Sequence, residues 1–190
     1  MIGFIASLIK IVILSSIYAL VILLIFRLIS KLKPYSWFDK VSYRRLRFWI
    51  ITVFCFSVGL LFFLFTYWGF HGFGDGPRIP IGDSVIVDNT NWDEYGYIDF
   101  AETKDSMKIE MTKFKVVNHK LIGNLKSSFY DYKNAFFICD LKTKKLTEFN
   151  MQTDYEDYAG KHQLPFSKEL KTFEENYSDY WDGWRFWLLP

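Results

Sequence analysis

His71, His119 and His162 are the side chains best suited to proton transfer or metal ligation in this chain, and their spacing favours neither. None has a second His or Cys at the sequence separation that a zinc-type site requires. His71 falls in a glycine-rich stretch, His119 in an expected turn, and His162 at an expected helix end where its charge suits the dipole. The two cysteines, Cys55 in an apolar run and Cys139 in an expected strand, belong to different parts of the fold and predict no disulfide. The 20 Asp and Glu residues of 71–190 offer many carboxylate pairs for glycosidic cleavage, but spacing selects none of them. Residues 88–94 (DNTNWDE) are rich in oxygen donors. Thr90 and Trp92 fall where a calcium loop needs oxygen ligands, and the central glycine is missing, so the segment reads as a polar turn between strands. Residues 72–82 (GFGDGPRIPIG) have the glycines of a phosphate-cradling loop without its preceding strand, lysine or following helix. They read as a linker with fixed turns, across which Asp75 and Arg78 would pair. Nucleophile-elbow, HExxH, Walker and dinucleotide patterns are missing. The chain reads as non-enzymatic, and no metal or cofactor is expected.

The aromatic residues are the stronger signal. Phe, Trp and Tyr make up 21% of the chain, too many for an apolar anchor alone to absorb. Trp92, Tyr95 and Tyr97 cluster early; Tyr177, Tyr180, Trp181, Trp184, Phe186 and Trp187 cluster late. The closing stretch YWDGWRFWLLP is very apolar for a chain end. It must bury against its own domain, touch a membrane or enter a partner. Core packing and self-docking are the default reading; left exposed, Trp92, Tyr95, Tyr97, Trp181, Trp184 and Trp187 would form a candidate surface for a partner or glycan.

Two long apolar runs must position whatever these residues do. Residues 11–26 and 48–70 carry no charged side chain, and the stretch between them holds Arg27, Lys31, Lys33, Lys40, Arg44, Arg45 and Arg47 against Asp39. About 20 apolar helical residues cross a bilayer core. The pattern predicts a two-helix transmembrane hairpin over 1–70, with helices of about 2–29 and 48–70 and a basic cytoplasmic loop over 30–47. Lys10 and Arg27 would snorkel to opposite interfaces. A cleaved signal peptide fits poorly, because no basic residue precedes Lys10 and no small-x-small site precedes the loop. Ser15 with Ala19, and Cys55 with Gly59, are small-xxx-small pairs suited to helix packing, within the hairpin or against another membrane protein. Trp37, Phe38, Val41, Tyr43 and Leu46, interleaved with the loop's basic residues, suit anionic headgroups.

Charge divides along the same line. Residues 1–70 hold eight Lys/Arg and one Asp; residues 71–190 hold 15 Lys/Arg and 20 Asp/Glu. The overall +2 therefore hides a basic anchor and an acidic remainder, which excludes a nucleic-acid surface.

After a 71–82 linker, residues 83–190 read as an α+β domain, mainly antiparallel β with late helices. Strands are expected over 84–88, 95–100, 121–125 and 135–139, the last continuously apolar and so covered on both faces. Met107, Ile109 and Met111 alternate with polar residues, then Phe114 and Val116 continue on the opposite parity, which predicts a bulge near Thr112–Lys113. Residues 140–145 (DLKTKK) are a turn into a partner strand over 146–149. Thr153 and Glu156 predict a capping box, and the spacing of Leu170, Phe173, Tyr177 and Tyr180 or Trp181 predicts an amphipathic helix over 167–181.

At GFGDGPRIPIG and again at FFICDLKTKKLTEF, the chain resembles a group of small uncharacterised bacterial envelope proteins. These share a membrane anchor, a GDG/GDS-x-RIPIG-like lead-in to a β-rich domain, and a hairpin around DLKTKK. The resemblance covers 72–82 and roughly 107–160. It implies an extracytoplasmic β-rich domain and brings no activity. Together with the anchor, it leads to a non-enzymatic protein of the bacterial cytoplasmic (inner) membrane. Both termini lie outside and the C-terminal domain is periplasmic. Its partners would be the lipid bilayer and a membrane or periplasmic protein, with the chain serving as an accessory subunit of a membrane complex or an immunity-type protein. An envelope enzyme acting on glycan or lipid, or a ligand sensor, is the competing expectation.

Overall fold

The computed structural model of the chain describes residues 2–32, 44–69, 76–90, 94–100, 107–125 and 136–190. It divides into two units: residues 1–75 with 183–190, and Gly76–Asp182. The chain passes from the first unit to the second at 75/76 and returns at 182/183.

The first unit contains helices α1 (Ile2–Leu32) and α2 (Arg45–Leu64). Both are long and apolar enough to cross a membrane. At about 1.5 Å per residue, the 20 residues of α2 span about 30 Å, the thickness of a bilayer core. The helices are antiparallel neighbours, with Phe26 against Phe48 (ring centroids 5.3 Å apart) and Tyr18 against Phe56 (5.5 Å). Each step of eight residues along α1 is matched by eight back along α2, so Lys10 stands level with Leu64. α2 begins before the expected residue 48, because Arg45 and Arg47 are good helix formers and take the first turn. It ends before the expected residue 70. The chain tightens there: Phe65 and Thr66 donate to Phe62 and Phe63 carbonyls at 3.0 Å, and Gly69 to Thr66. A Cβ on Gly69 would lie 2.1 Å from the Phe63 carbonyl oxygen, so only glycine closes this turn. Of the expected basic loop, residues 33–43 lie outside the described residues.

Among the described residues, the second unit is an antiparallel sheet of eight strands with two α-helices. Seven strands follow in chain order: β1 (Arg78–Gly82), β2 (Val85–Asp88), β3 (Gly96–Phe100), β4 (Met107–Val117), β5 (Lys120–Leu125), β6 (Phe136–Asp140) and β7 (Leu146–Phe149). The short β8 (Lys171–Thr172) pairs with β4 where β3 has ended. Helix α3 (Gln152–His162) precedes β8; α4 (Phe173–Trp181) follows it. This is the α+β composition expected.

β1 occupies the second half of the expected linker. Pro80 lacks an N–H, but among the described residues β1 is an edge strand paired with β2 alone, so the missing donor costs little. Arg78 pairs with Asp88 across the two strands; the expected partner Asp75 lies outside the described residues. The register shift between Met111 and Lys113 is the bulge that the parity change predicts. It lets Ile109 and Met111 before it, and Phe114 after it, enter one core with Val87, Leu121 and Phe137. Along β6, Phe137 and Cys139 face that core, whereas Phe136 and Ile138 face a second one with Tyr155, Ala159 and Leu164. This strand is covered on both faces, as its continuous apolar run requires.

The capping pattern forms once, in an unexpected place. α3 begins at Gln152 with no side-chain cap from Thr153. Glu156 instead accepts from Gln152 (2.8 Å) and from the Ser167 hydroxyl. The expected helix over 167–181 is divided. Ser167–Glu169 makes a 3-10 turn and Lys171–Thr172 is strand; the Thr172 hydroxyl then accepts from the Glu175 N–H (3.2 Å) while the Glu175 carboxylate accepts from the Thr172 N–H (2.8 Å). That reciprocal box starts α4 at Phe173. Phe173 is buried against Gly96, where an added Cβ would meet its ring at 2.8 Å and Val87 at 2.7 Å.

Candidate interaction surface

The late aromatics do not act as one cluster. Tyr177 and Tyr180 pack on the core of the sheet, and Trp181 is 8% exposed with its indole N–H donating to the Arg78 carbonyl at 2.7 Å. Trp181 is therefore removed from the candidate surface. Gly183, at φ 70°, then breaks the helix, a conformation that glycine adopts at no steric cost. A five-residue helix, α5 (Trp184–Leu188), follows and belongs to the helical unit. Trp184 and Trp187 are 59% and 72% exposed, as expected of a surface pair, and Phe186 is exposed beside them.

α5 is held on α1 by two polar contacts. The Tyr18 hydroxyl donates to the Leu188 carbonyl, and the Lys10 ammonium stands over the Phe186 ring, 4.8 Å from its centre. Arg185 lies 5.0 Å from the Trp184 ring in the same manner. Lys10 was singled out in the sequence, as a lysine beside an apolar run. Tyr18 was missed, although a hydroxyl amid an apolar run is the signal for a buried polar partner.

The early cluster lies on the other unit. Tyr97 on β3 is half-buried under Lys108, whose ammonium is 4.2 Å from the ring centre, and Tyr95 is half-buried just before the strand. Tyr95 also supplies the carbonyl that accepts from the Asn89 side chain at 2.8 Å. Trp92 lies outside the described residues.

The small-residue pairs also part. Ser15 and Ala19 are fully buried on α1. Cys55 is exposed on α2, and a Cβ on Gly59 would meet nothing within 4 Å. The face of α2 turned to α1 carries Phe48, Phe56 and the buried Leu64 instead, so the packing role expected of Cys55 and Gly59 within the hairpin is corrected. Large side chains can meet the small ones of α1 there, and a second small stripe is unnecessary.

The titratable groups are occupied by the fold. His119 Nδ1 is 2.7 Å from Asp83 Oδ2, and this pair ties together two hairpin tips whose residues 83–84 and 118–119 all have positive φ. His162 stacks on Tyr158 at 4.1 Å at the end of α3. His71 lies outside the described residues. The carboxyl of Asp140 is held below its usual range chiefly by the Thr143 N–H of the DLKTKK turn. Glu156 is lowered by Ser167, Glu169 by the Phe166 N–H, and Glu175 by the Thr172 N–H. Burial first, and then Asp140, push the Cys139 thiol up to about 11, which keeps it protonated and unreactive. Among the described residues no three His, Cys, Asp or Glu side chains gather as a metal site.

Comparison of the chain with protein-family models, with curated proteins and with solved structures returns no match.

Proposed function

We propose that the chain is a non-enzymatic protein of the bacterial cytoplasmic membrane that holds the sheet unit at the outer membrane surface, where it binds another protein. The observation that carries this reading is the distribution of exposed apolar side chains. Among the described residues, the large ones left exposed fall in the helical unit, apart from Met151 and Phe166. Phe54 and Phe62 on α2 are 67% and 71% exposed, as on a helix surrounded by lipid rather than water. Arg27, Lys31, Arg44, Arg45 and Arg47 stand at one end of the hairpin, which by the positive-inside tendency is the cytoplasmic end. The resemblance to small envelope proteins supports a periplasmic position for the sheet unit.

The partner is a resident membrane complex that takes this chain as an accessory subunit, or an incoming toxin that it neutralises. The half-buried Tyr95 and Tyr97, with Lys108 over the latter ring, supply an aromatic and cationic strip of the kind that interfaces favour. Purification from membranes in mild detergent tests the reading. A stoichiometric resident protein supports the subunit role, and survival of toxin-treated cells only when the chain is present supports immunity. A monodisperse chain with neither outcome overturns protein binding.

A further inference from the structure

We infer that the C-terminal helix α5 is a third membrane-contacting element, lying in the outer boundary of the bilayer with Trp184, Phe186 and Trp187 in the lipid. The inference rests on the reading of the hairpin as membrane-spanning and extends it to a segment that hydropathy alone does not flag.

The argument starts from position. Lys10 is level with Leu64, the last helical residue of α2, so it marks the outer end of the paired hairpin. Phe186 lies under that lysine, and Leu188 is bonded by Tyr18, which is eight residues or about 12 Å further along α1. α5 therefore sits on the outer part of the apolar hairpin surface and continues it. Its composition suits that depth. Trp and Tyr favour the headgroup boundary, where an amphipathic ring keeps one edge in hydrocarbon and the other near water. Arg185, stacked on Trp184, places a guanidinium at the level where anionic headgroups begin. Polar groups that would be costly in hydrocarbon are answered locally: the Tyr18 hydroxyl and the Leu188 carbonyl satisfy each other, and Leu189 N–H donates to Arg185 O at 2.9 Å. An aqueous location would leave Trp187 at 72% exposure with no compensation.

Connectivity sets the contact's place in the chain. The sheet unit leaves the helical unit at 75/76 and rejoins it at 182/183. With α5 in the interface, the chain contacts the membrane on both sides of the sheet unit in sequence.

Nitroxide accessibility on the full chain in vesicles of phosphatidylethanolamine and phosphatidylglycerol tests the inference. Cys55 is native and exposed midway along α2, and Cys139 is buried, so a label on the wild-type chain reports the hairpin. A label on W187C in a C55S background reports α5 while leaving Trp184 and Phe186 in place. The expected result is that oxygen collides more than a water-soluble nickel chelate at both labels, with the 187 label at the shallower depth. A 187 label open to the chelate while the Cys55 label favours oxygen overturns the inference and leaves the hairpin reading intact. Low collision with both reagents at 187 means that protein covers the helix, and also overturns it. Chelate access at both labels means that the hairpin itself is not in lipid, and both readings fall. As a second readout, lipids brominated on the acyl chain should quench wild-type tryptophan emission more than that of a W184F/W187F chain; equal fractional quenching contradicts the proposal.

Discussion

The two units solve opposite problems with similar material. The sheet unit hides its apolar side chains in two cores, one on each face of β6, and answers its polar groups with turns and caps. The helical unit spends few of its apolar side chains on itself: Ile11, Leu14, Ala19 and Leu64 are buried, whereas Leu32, Phe54, Phe62 and Trp187 remain outward. In water the second arrangement is a liability, and in a bilayer it is a solvent-facing surface. Under the proposed placement, one chain holds a part built against water and a part suited to lipid.

Truncating matched phenylalanines should separate the two most sharply. Phe137 is fully buried, so Phe137→Ala should cost about 3–5 kcal/mol of sheet-unit stability. Phe62→Ala, 71% exposed on α2, should leave the sheet unit's denaturant midpoint where it was. Equal shifts would break the comparison.

A second contrast lies within the hairpin. Ala19→Leu adds bulk where α1 is fully buried and should cost about 1–3 kcal/mol of helix pairing. Gly59→Leu points into open space and should cost none. Crosslinking yield between cysteines at positions 26 and 48 reads both, and a loss with G59L alone would reverse the assigned faces.

A smaller effect belongs to the cap of α4. Thr172→Ala removes the hydroxyl that accepts from Glu175 N–H and should lower sheet-unit stability by about 1 kcal/mol. Thr153→Ala, at the matching pattern that forms no cap, should change it much less. The reverse order in chemical denaturation would refute the assignment.

The smallest expected effect is a trend with pH. Asp140, Glu156, Glu169 and Glu175 all have carboxyls held below their ordinary values. Their contribution is present above the unfolded carboxylate range and is lost as pH falls through the lowered folded values. The sheet unit should therefore lose stability on acidification within the carboxylate range, and urea midpoints that stay flat there would contradict this.

How much of this was legible depends on whether local pattern and tertiary context agree. The bulge at Thr112–Lys113 and the turn at 140–145 were readable because side-chain parity and turn chemistry are local. β1 was hidden because Pro80 and Gly82 mimic a linker, and only the sheet order shows an edge strand that tolerates proline. The T-x-x-E pattern occurs at Thr153–Glu156 and at Thr172–Glu175, and local sequence does not rank them. Pairing of β8 with β4 makes residues 171–172 extended and so selects the second. In the candidate surface, the apolar closing run left burial, membrane contact and partner contact open for Trp184 and Trp187, because composition does not say which element covers a ring. The burial of Trp181 was not legible, since the acceptor for its indole is the Arg78 carbonyl, 103 positions away.

The proposed placement puts the two units in different solvents, with the sheet unit outside the cytoplasmic membrane. Lys142 is exposed in the DLKTKK turn and Arg44 is exposed at the basic end of α2, while Cys139 is buried and its thiol is held protonated. In a C55S background, a membrane-impermeant maleimide should label K142C in intact cells stripped of their outer membrane, and R44C only after the cytoplasmic membrane is permeabilised. Labelling of R44C in intact cells with K142C protected would contradict the account.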